Sequence, residues 1–296
     1  MKIFPLVSVA VITYNQDKFI RECLDSILNQ EYPNFEIIVA DDCSNDNTFK
    51  ILEEYVNKYP NKVKILKSEK NNGITSNSNL AYFGCSGKYI SWIGGDDLML
   101  PNKLIKQVEF MENNPLCSIS YHNLDVFESS TGQTIYYFNK KQKFSGNIKT
   151  LIQKGCFNGA CSNMTRVSHN PKNGFNESLP VASDWLFWIE TLDKGGTINY
   201  LNEVLGKYRR HENNVTKKSE IITQNEIDHL NTCNILIAKY PSLLKSILII
   251  YAIKIRDLRK KIPYVQCLVY SLKINFNFKA LYGLLIYNLT FRKIKL

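Results

Sequence analysis

Apolar runs of strand length alternate with helix-patterned segments through the first hundred residues. This alternation constrains the fold more than any other feature. Residues 7–12 are rich in β-branched side chains and predict a buried strand. After the turn Thr13-Tyr14-Asn15-Gln16, apolar residues fall at Phe19, Ile20, Cys23, Leu24, Ile27 and Leu28, the spacing of a helix with one dry face. Residues 35–40 predict a second buried strand, 48–59 a helix, 63–66 a strand, 75–85 a helix and 89–93 a further strand. Strands alternating with helices imply a mostly parallel, Rossmann-like α/β sheet covered on both faces. Ligands of such sheets bind outside the carboxyl ends of the strands. Three polar clusters sit there: Thr13-Tyr14-Asn15, Asp41-Asp42 and Asp96-Asp97.

Beyond Pro101 the pattern loosens. It predicts a helix at 102–113, strands at 117–126, 134–138 and 197–201, and an aromatic helix within 182–189 opened by Asp184. Helices fill the sequence from about Ser219 onward. The expected organisation is therefore 1–215 as one α/β unit, with a first half over 1–100 and a second over 101–215. A helical, basic, amphipathic region follows over 216–296.

Several function classes are excluded. The first turn, TYNQDK, holds no glycine, so it is neither a G-x-G-x-x-G dinucleotide turn nor a P-loop. A nucleotide's phosphates must then be met in another way. Adjacent carboxylates at a strand end, as in Asp96-Asp97, are hard oxygen ligands suited to Mg²⁺ or Mn²⁺. The eight cysteines are scattered without a C-x-x-C pair, which argues for reduced, mostly buried thiols. No stretch approaches the roughly 18 to 20 uninterrupted apolar residues of a membrane-spanning helix. The opening apolar run reads as a first strand, so a cytoplasmic location is expected.

The motifs gain meaning in order. VSVAVITYN, FEIIVADDCSND, NNG, YISWIGGDD-x-x-x-P, SDW and YRRH together resemble the family 2 glycosyltransferases, over about residues 6–211. The resemblance implies the GT-A fold and a metal-dependent, inverting transfer of sugar from a nucleoside-diphosphate donor, with a UDP-sugar favoured. It further implies a glycan or lipid-linked acceptor in surface polysaccharide assembly. Tyr14 then matches the position whose ring packs on the base, with Asn15 beside it, and Asp42 the carboxylate that accepts a ring N–H. Asp96 matches the metal-ligating last Asp of D-x-D, and Asp97 a supporting or ribose-contacting carboxylate. Gly73 matches the N-x-G loop, His211 the histidine near the diphosphate or metal, and Asp184 the catalytic base. The sequence departs from the family at Gly94, where the first Asp of D-x-D is usual, and at Ser78, which replaces an Arg before Asn79.

Other readings stand beside these. Asp184 after Ser183 could be the start of a helix. Trp185 and Trp188 could stack on an acceptor sugar or fill the core. A non-catalytic sugar-nucleotide-binding protein on the same fold is the alternative function, against which intact Asp42, Asp96 and Asp184 argue. From Lys239 to Leu296 there are twelve Lys and Arg against one acid, Asp257, a net +11 that leaves −1 on the rest of the chain's +10. Interleaved with aliphatic residues, these cations suggest amphipathic helices at the inner face of a membrane. Packing on the first unit or a homodimer contact are the other options. The long aliphatics argue against nucleic acid as the partner.

Overall fold

The computed structural model describes residues 4–212, 214, 219–290 and 294–295. Residues 1–3 of the opening run, 215–218 at the expected boundary, and 291–293 and 296 of the tail lie outside the described residues. In chain order the first part contains β1 (Val7–Thr13), α1 (Ile20–Leu28), β2 (Phe35–Asp41), α2 (Thr48–Lys58), β3 (Val63–Lys67), α3 (Ile74–Gly84) and β4 (Tyr89–Gly94). The second part contains β5 (Leu98–Met99), α4 (Lys103–Asn113), β6 (Cys117–Glu128), β7 (Thr134–Tyr137), α5 (Ile148–Lys154), β8 (Met164–Arg166), α6 (Asp184–Thr191) and β9 (Thr197–Arg210). Four helices follow: α7 (Gln224–Lys239), α8 (Leu244–Asp257), α9 (Tyr264–Ile274) and α10 (Phe278–Leu289).

One sheet orders its strands β3-β2-β1-β4-β8-β6-β9-β5, with β7 paired to β6. β1, β2, β3 and β4 are parallel, with β1 between β2 and β4, so the chain reverses its direction of winding at β1. That reversal leaves a crevice at the carboxyl ends, where ligands of open α/β sheets bind. β1 is buried on both faces: Val7, Val9 and Val11 face the core beneath α1, α2 and α4, while Ala10 joins the opposite core with α3 and α6. The alternation follows from the two-residue period of a strand.

The expected 197–201 strand is in fact the start of β9, which runs to Arg210 because it pairs with β6 in parallel along its whole length. The three-residue β8 and two-residue β5 leave too little pattern to be read from sequence.

The carboxyl-terminal helices divide. Cys233 and Leu236 of α7 and Ile247 and Ile250 of α8 are buried in the same core as Trp185 and Trp188 of α6. α9 and α10 build a small cluster of their own around Tyr264, Leu268 and Ala280. Among the described residues no single helix is long and apolar enough to cross a membrane. The pair spanning 224–239 and 241–260 passes only jointly, bent by 113°.

Candidate active site

The three polar clusters stand side by side because their strands do. Thr13 pairs with Asp41 and Ile12 with Gly94, so the turns after β2, β1 and β4 open onto one crevice. Asn15 adopts a left-handed conformation, φ 51°. Its amide donates to Ser44 Oγ (2.9 Å), and its Oδ1 accepts from the Asn45 amide (2.8 Å). Tyr14 is 39% exposed, an aromatic ring held open at the strand end.

Asp42 is almost fully buried, and its oxygens accept from the amides of Asn72 (2.9 Å) and Gly73 (2.8 Å). The structure thereby brings two of the predicted residues together. Gly73 has φ 88°, a left-handed backbone that a Cβ would strain, and it caps α3. A carboxylate offers about four lone-pair sites, so two remain on Asp42.

Asp96 lies at the centre of the crevice. Its Oδ2 is 2.9 Å from His211 Nε2 and accepts from Asn214 Nδ2 at 3.3 Å. His211 in turn packs on Phe19, with ring centroids 4.6 Å apart. The glycine at 94 has a local reason, since a Cβ there would meet Asp96 Oδ1 at 2.7 Å. Asp97 points inward and accepts from the Arg209 amide at 2.9 Å. Burial, and after it the neighbouring Asp96 charge, pushes its carboxyl well above the ordinary range. Its visible task is to tie the turn after β4 to β9.

Arg209 completes that tie, and sequence reasoning missed it. Its buried guanidinium donates to the Asp96 carbonyl (2.7 Å) and Glu22 Oε2 (2.5 Å), and it lies over the rings of Phe19 and Phe127. Asn214 was also missed. The paired arginines of YRRH were the only sequence signal for the first, and there was none for the second.

Asp184 opens α6, yet the cap position, Ser183, makes no side-chain capping bond. Its Oδ1 accepts from the Trp185 amide (2.8 Å), and Cys156 Sγ lies 3.7 Å from Oδ2. Burial raises the carboxyl above its ordinary 3.8, and the Trp185 amide, Cys156 thiol and Lys254 charge offset this only in part. Asp96, Asp97 and Asp184 all line one cavity of about 270 Å³, together with Thr75, Ser78 and Trp188. A second cavity of about 820 Å³ adjoins it from Asn15 to Phe19 and His211. A third, about 1080 Å³, continues past Asp184 toward Glu226, His229, Lys260 and Lys261.

One predicted position is corrected. Trp185 is fully buried, with Nε1 donating to the Leu151 carbonyl at 3.3 Å, so its ring cannot meet an acceptor. Helical spacing points it, unlike Asp184, into the core. Asn79 is structural: it donates to the Phe175 carbonyl (3.0 Å) and Glu177 Oε1 (2.9 Å) and accepts from the Phe175 amide (2.7 Å).

The loop before Asp184 is held from outside the predicted α/β unit. Asp228 of α7, fully buried, accepts from the amides of Val181 (2.7 Å) and Ala182 (2.8 Å) and from Gln224 Nε2 (2.7 Å). Thr75 Oγ1 donates to the Leu179 carbonyl at 2.6 Å and lies 2.9 Å from Ser183 Oγ, linking this loop to the start of α3. Asp228→Ala would leave the half-buried Val181 amide and the buried Ala182 amide without acceptors. Thermal or denaturant unfolding should show a loss of about 3 kcal/mol.

Among the described residues no three His, Cys, Asp or Glu side chains converge as a complete metal site. The carboxylate of Asp96 and imidazole of His211 are nevertheless donors that Mn²⁺ or Mg²⁺ accepts.

Comparison with known proteins gives four related findings. The family profile described as glycosyl transferase family 2 matches residues 8–170. The putative teichuronic acid biosynthesis glycosyltransferase TuaG of Bacillus subtilis is 28% identical over 215 residues, 72% of this chain and 82% of that one. Among solved structures, S. aureus TarS 1–349 in complex with UDP-GlcNAc aligns with TM-score 0.69 at 19% identity, over 97% of this chain and 88% of that one. The Pyrobaculum calidifontis mannosyltransferase in complex with GDP-Man and Mn²⁺ aligns with TM-score 0.59 at 14% identity, over 99% and 82%. At these identities the solved structures speak for the fold.

Proposed function

Since this chain belongs to glycosyl transferase family 2, and is thus a glycosyltransferase with the GT-A fold, we propose that it moves a sugar from a UDP-sugar to a glycan or lipid-linked acceptor in surface polysaccharide assembly. The observation that carries this reading is that Asp96 and Asp184 wall the same cavity, one in the turn after β4 and one at the start of α6. The cavity is of a size to hold a sugar ring. The glycosyltransferase TuaG, named for teichuronic acid biosynthesis, supports the polysaccharide context, and the UDP-GlcNAc complex of TarS supports the donor class.

In this reading Tyr14 stacks on the base, and Asp42 accepts its ring N–H through a remaining lone pair while holding the Gly73 loop. Asn15 and Asp97 shape the turns that receive ribose and diphosphate. Asp96 and His211 would hold Mn²⁺ or Mg²⁺. The Mn²⁺ of the archaeal mannosyltransferase complex supports that choice. Bound there, the cation would neutralise charge on the departing diphosphate.

Asp184 supplies the base. Its carboxylate accepts the proton of the acceptor hydroxyl as that oxygen bonds to the anomeric carbon. The bond from that carbon to the diphosphate breaks on the opposite face, and the nucleoside diphosphate leaves with the electron pair. One in-line displacement inverts the anomeric configuration.

Isothermal titration of UDP and of GDP, each with Mn²⁺ and with EDTA, tests the donor half. UDP should bind with Mn²⁺ and weaken at least about tenfold in EDTA. Heat from neither nucleotide under either condition would overturn the reading.

A further inference from the structure

The outer face of α10 is apolar and open to solvent. Phe278, Tyr282, Leu285 and Leu289 are spaced by four, three and four residues, which puts them on one side of the helix. They are 78%, 59%, 50% and 73% exposed. Phe276, just before the helix, extends the stripe with its ring 5.1 Å from that of Phe278. The opposite side of α10 is already used. Ala280 is buried against α9, and Gly283 lets the helices approach so closely that a Cβ would meet Tyr264 Oη at 2.9 Å. α9 is pinned in turn to α8, through Ser271 Oγ to the Ala252 carbonyl (2.7 Å) and Cys267 Sγ to the Ile255 carbonyl (2.7 Å). The stripe is therefore presented by a fixed hairpin, and repacking that hairpin would not hide it.

Charge identifies the occupant. Residues 258–296 contain eight Lys and Arg and no acid. Four of the eight, Arg259, Lys260, Lys261 and Lys295, line a cavity of about 440 Å³ at the base of the hairpin. Two of them also meet acids, Lys261 with Glu226 (2.7 Å) and Arg259 with Asp257 (3.7 Å), so the cavity is basic in balance. An apolar stripe on the same hairpin as a cavity that is basic in balance matches a bilayer carrying anionic headgroups: hydrocarbon for the stripe, phosphate for the cavity. A second protein copy would bring the same cations against these, and a nucleic acid has no use for the aliphatic face.

We infer that the α9–α10 hairpin docks this protein on an anionic lipid surface, with the Phe278–Tyr282–Leu285–Leu289 stripe in the acyl boundary and the Arg259–Lys261/Lys295 cavity at the headgroup phosphates. Docking is narrower than the whole 239–296 region expected from sequence, because α8 is spent in the core. Lys260 and Lys261 also line the large cavity that runs to Asp184. A headgroup seated there opens the acceptor side of the crevice toward the membrane.

Sedimentation of the full chain with vesicles of phosphatidylcholine, alone or mixed with phosphatidylglycerol, tests this. Binding to the mixed vesicles should exceed binding to the neutral ones by about tenfold or more and fall as salt rises. Phe278→Ser with Leu289→Ser should cut it by at least about tenfold, whereas Phe278→Leu with Leu289→Phe should retain it. Lys260→Glu with Lys295→Glu should remove the preference for anionic vesicles. Circular dichroism of each variant checks that the fold is kept. No sedimentation, equal binding to both vesicle types, or binding indifferent to the Ser substitutions would each overturn the inference. So would a dimer that the Ser substitutions dissociate, or salt-sensitive RNA binding, in the absence of vesicle binding.

Discussion

Asp184→Asn should lower the rate of sugar transfer by roughly 10²- to 10⁴-fold, the usual contribution of a general base, while the UDP affinity stays within about twofold of wild type. The amide keeps the shape of the side chain and can still accept from the Trp185 amide, but it cannot take a proton. The variant should also be the more stable protein at neutral pH. Burial raises the Asp184 pKa above the ordinary value of 3.8. Its favourable contribution is therefore complete below that ordinary value and is lost as pH rises through the folded value. Asparagine removes this penalty, so its melting temperature should match or exceed that of wild type. The same shift sets the pH profile: the transfer rate should fall as pH drops through a midpoint above 3.8, and this acid limb should vanish in the variant. Wild-type turnover by a folded Asp184→Asn protein would remove the residue as base.

Asp96→Asn should act on the other half of the reaction. Its carboxylate is the one that His211 Nε2 and Asn214 Nδ2 converge on. Losing the charge should cost turnover roughly 10²- to 10³-fold, in keeping with loss of an electrostatic stabiliser at the leaving group. Titration calorimetry gives a separate readout, since the gain in UDP affinity on adding Mn²⁺ should shrink to about none in the variant. Retention of that gain would show that the cation is held elsewhere. The two substitutions thus fail differently, one in transfer with donor binding intact, the other in metal-linked donor binding.

The helical tail contributes to the site before any membrane is considered. Asp228 on α7 holds the amides of Val181 and Ala182, three and two residues ahead of Asp184. Removing the helices would therefore release the loop that aims the base, even though every residue of the resemblance lies upstream.

Sequence alone determined the alternating sheet, the three polar turns at its carboxyl edge and the residue types they carry. These follow from short-range rules: strand runs that can only be buried, helical spacing between them, and acidic turns where a parallel sheet exposes its strand ends. Asp42 and Asp96 stood out for that reason, whereas Asp184, at the start of a helix, was legible only through the resemblance of its SDW motif. Tertiary structure decided the rest. Trp185 and Asp184 are neighbours in sequence, yet the helix turns one into the core and leaves the other facing the cavity. Arg209, Asn214 and Asp228 matter through distant partners: Asp96 lies 113 residues from Arg209 and 118 from Asn214, and Val181 and Ala182 lie 47 and 46 from Asp228. The tail's charge was visible in the sequence, but which of its helices are free to meet a surface was not. α8 and α10 have similar mixtures of apolar residues. Only packing shows that α8 spends its apolar side chains against α5 and α7 and that α10 presents Phe278, Tyr282, Leu285 and Leu289 to solvent. Composition records how much apolar surface a helix has, and burial against a neighbour decides where that surface ends up.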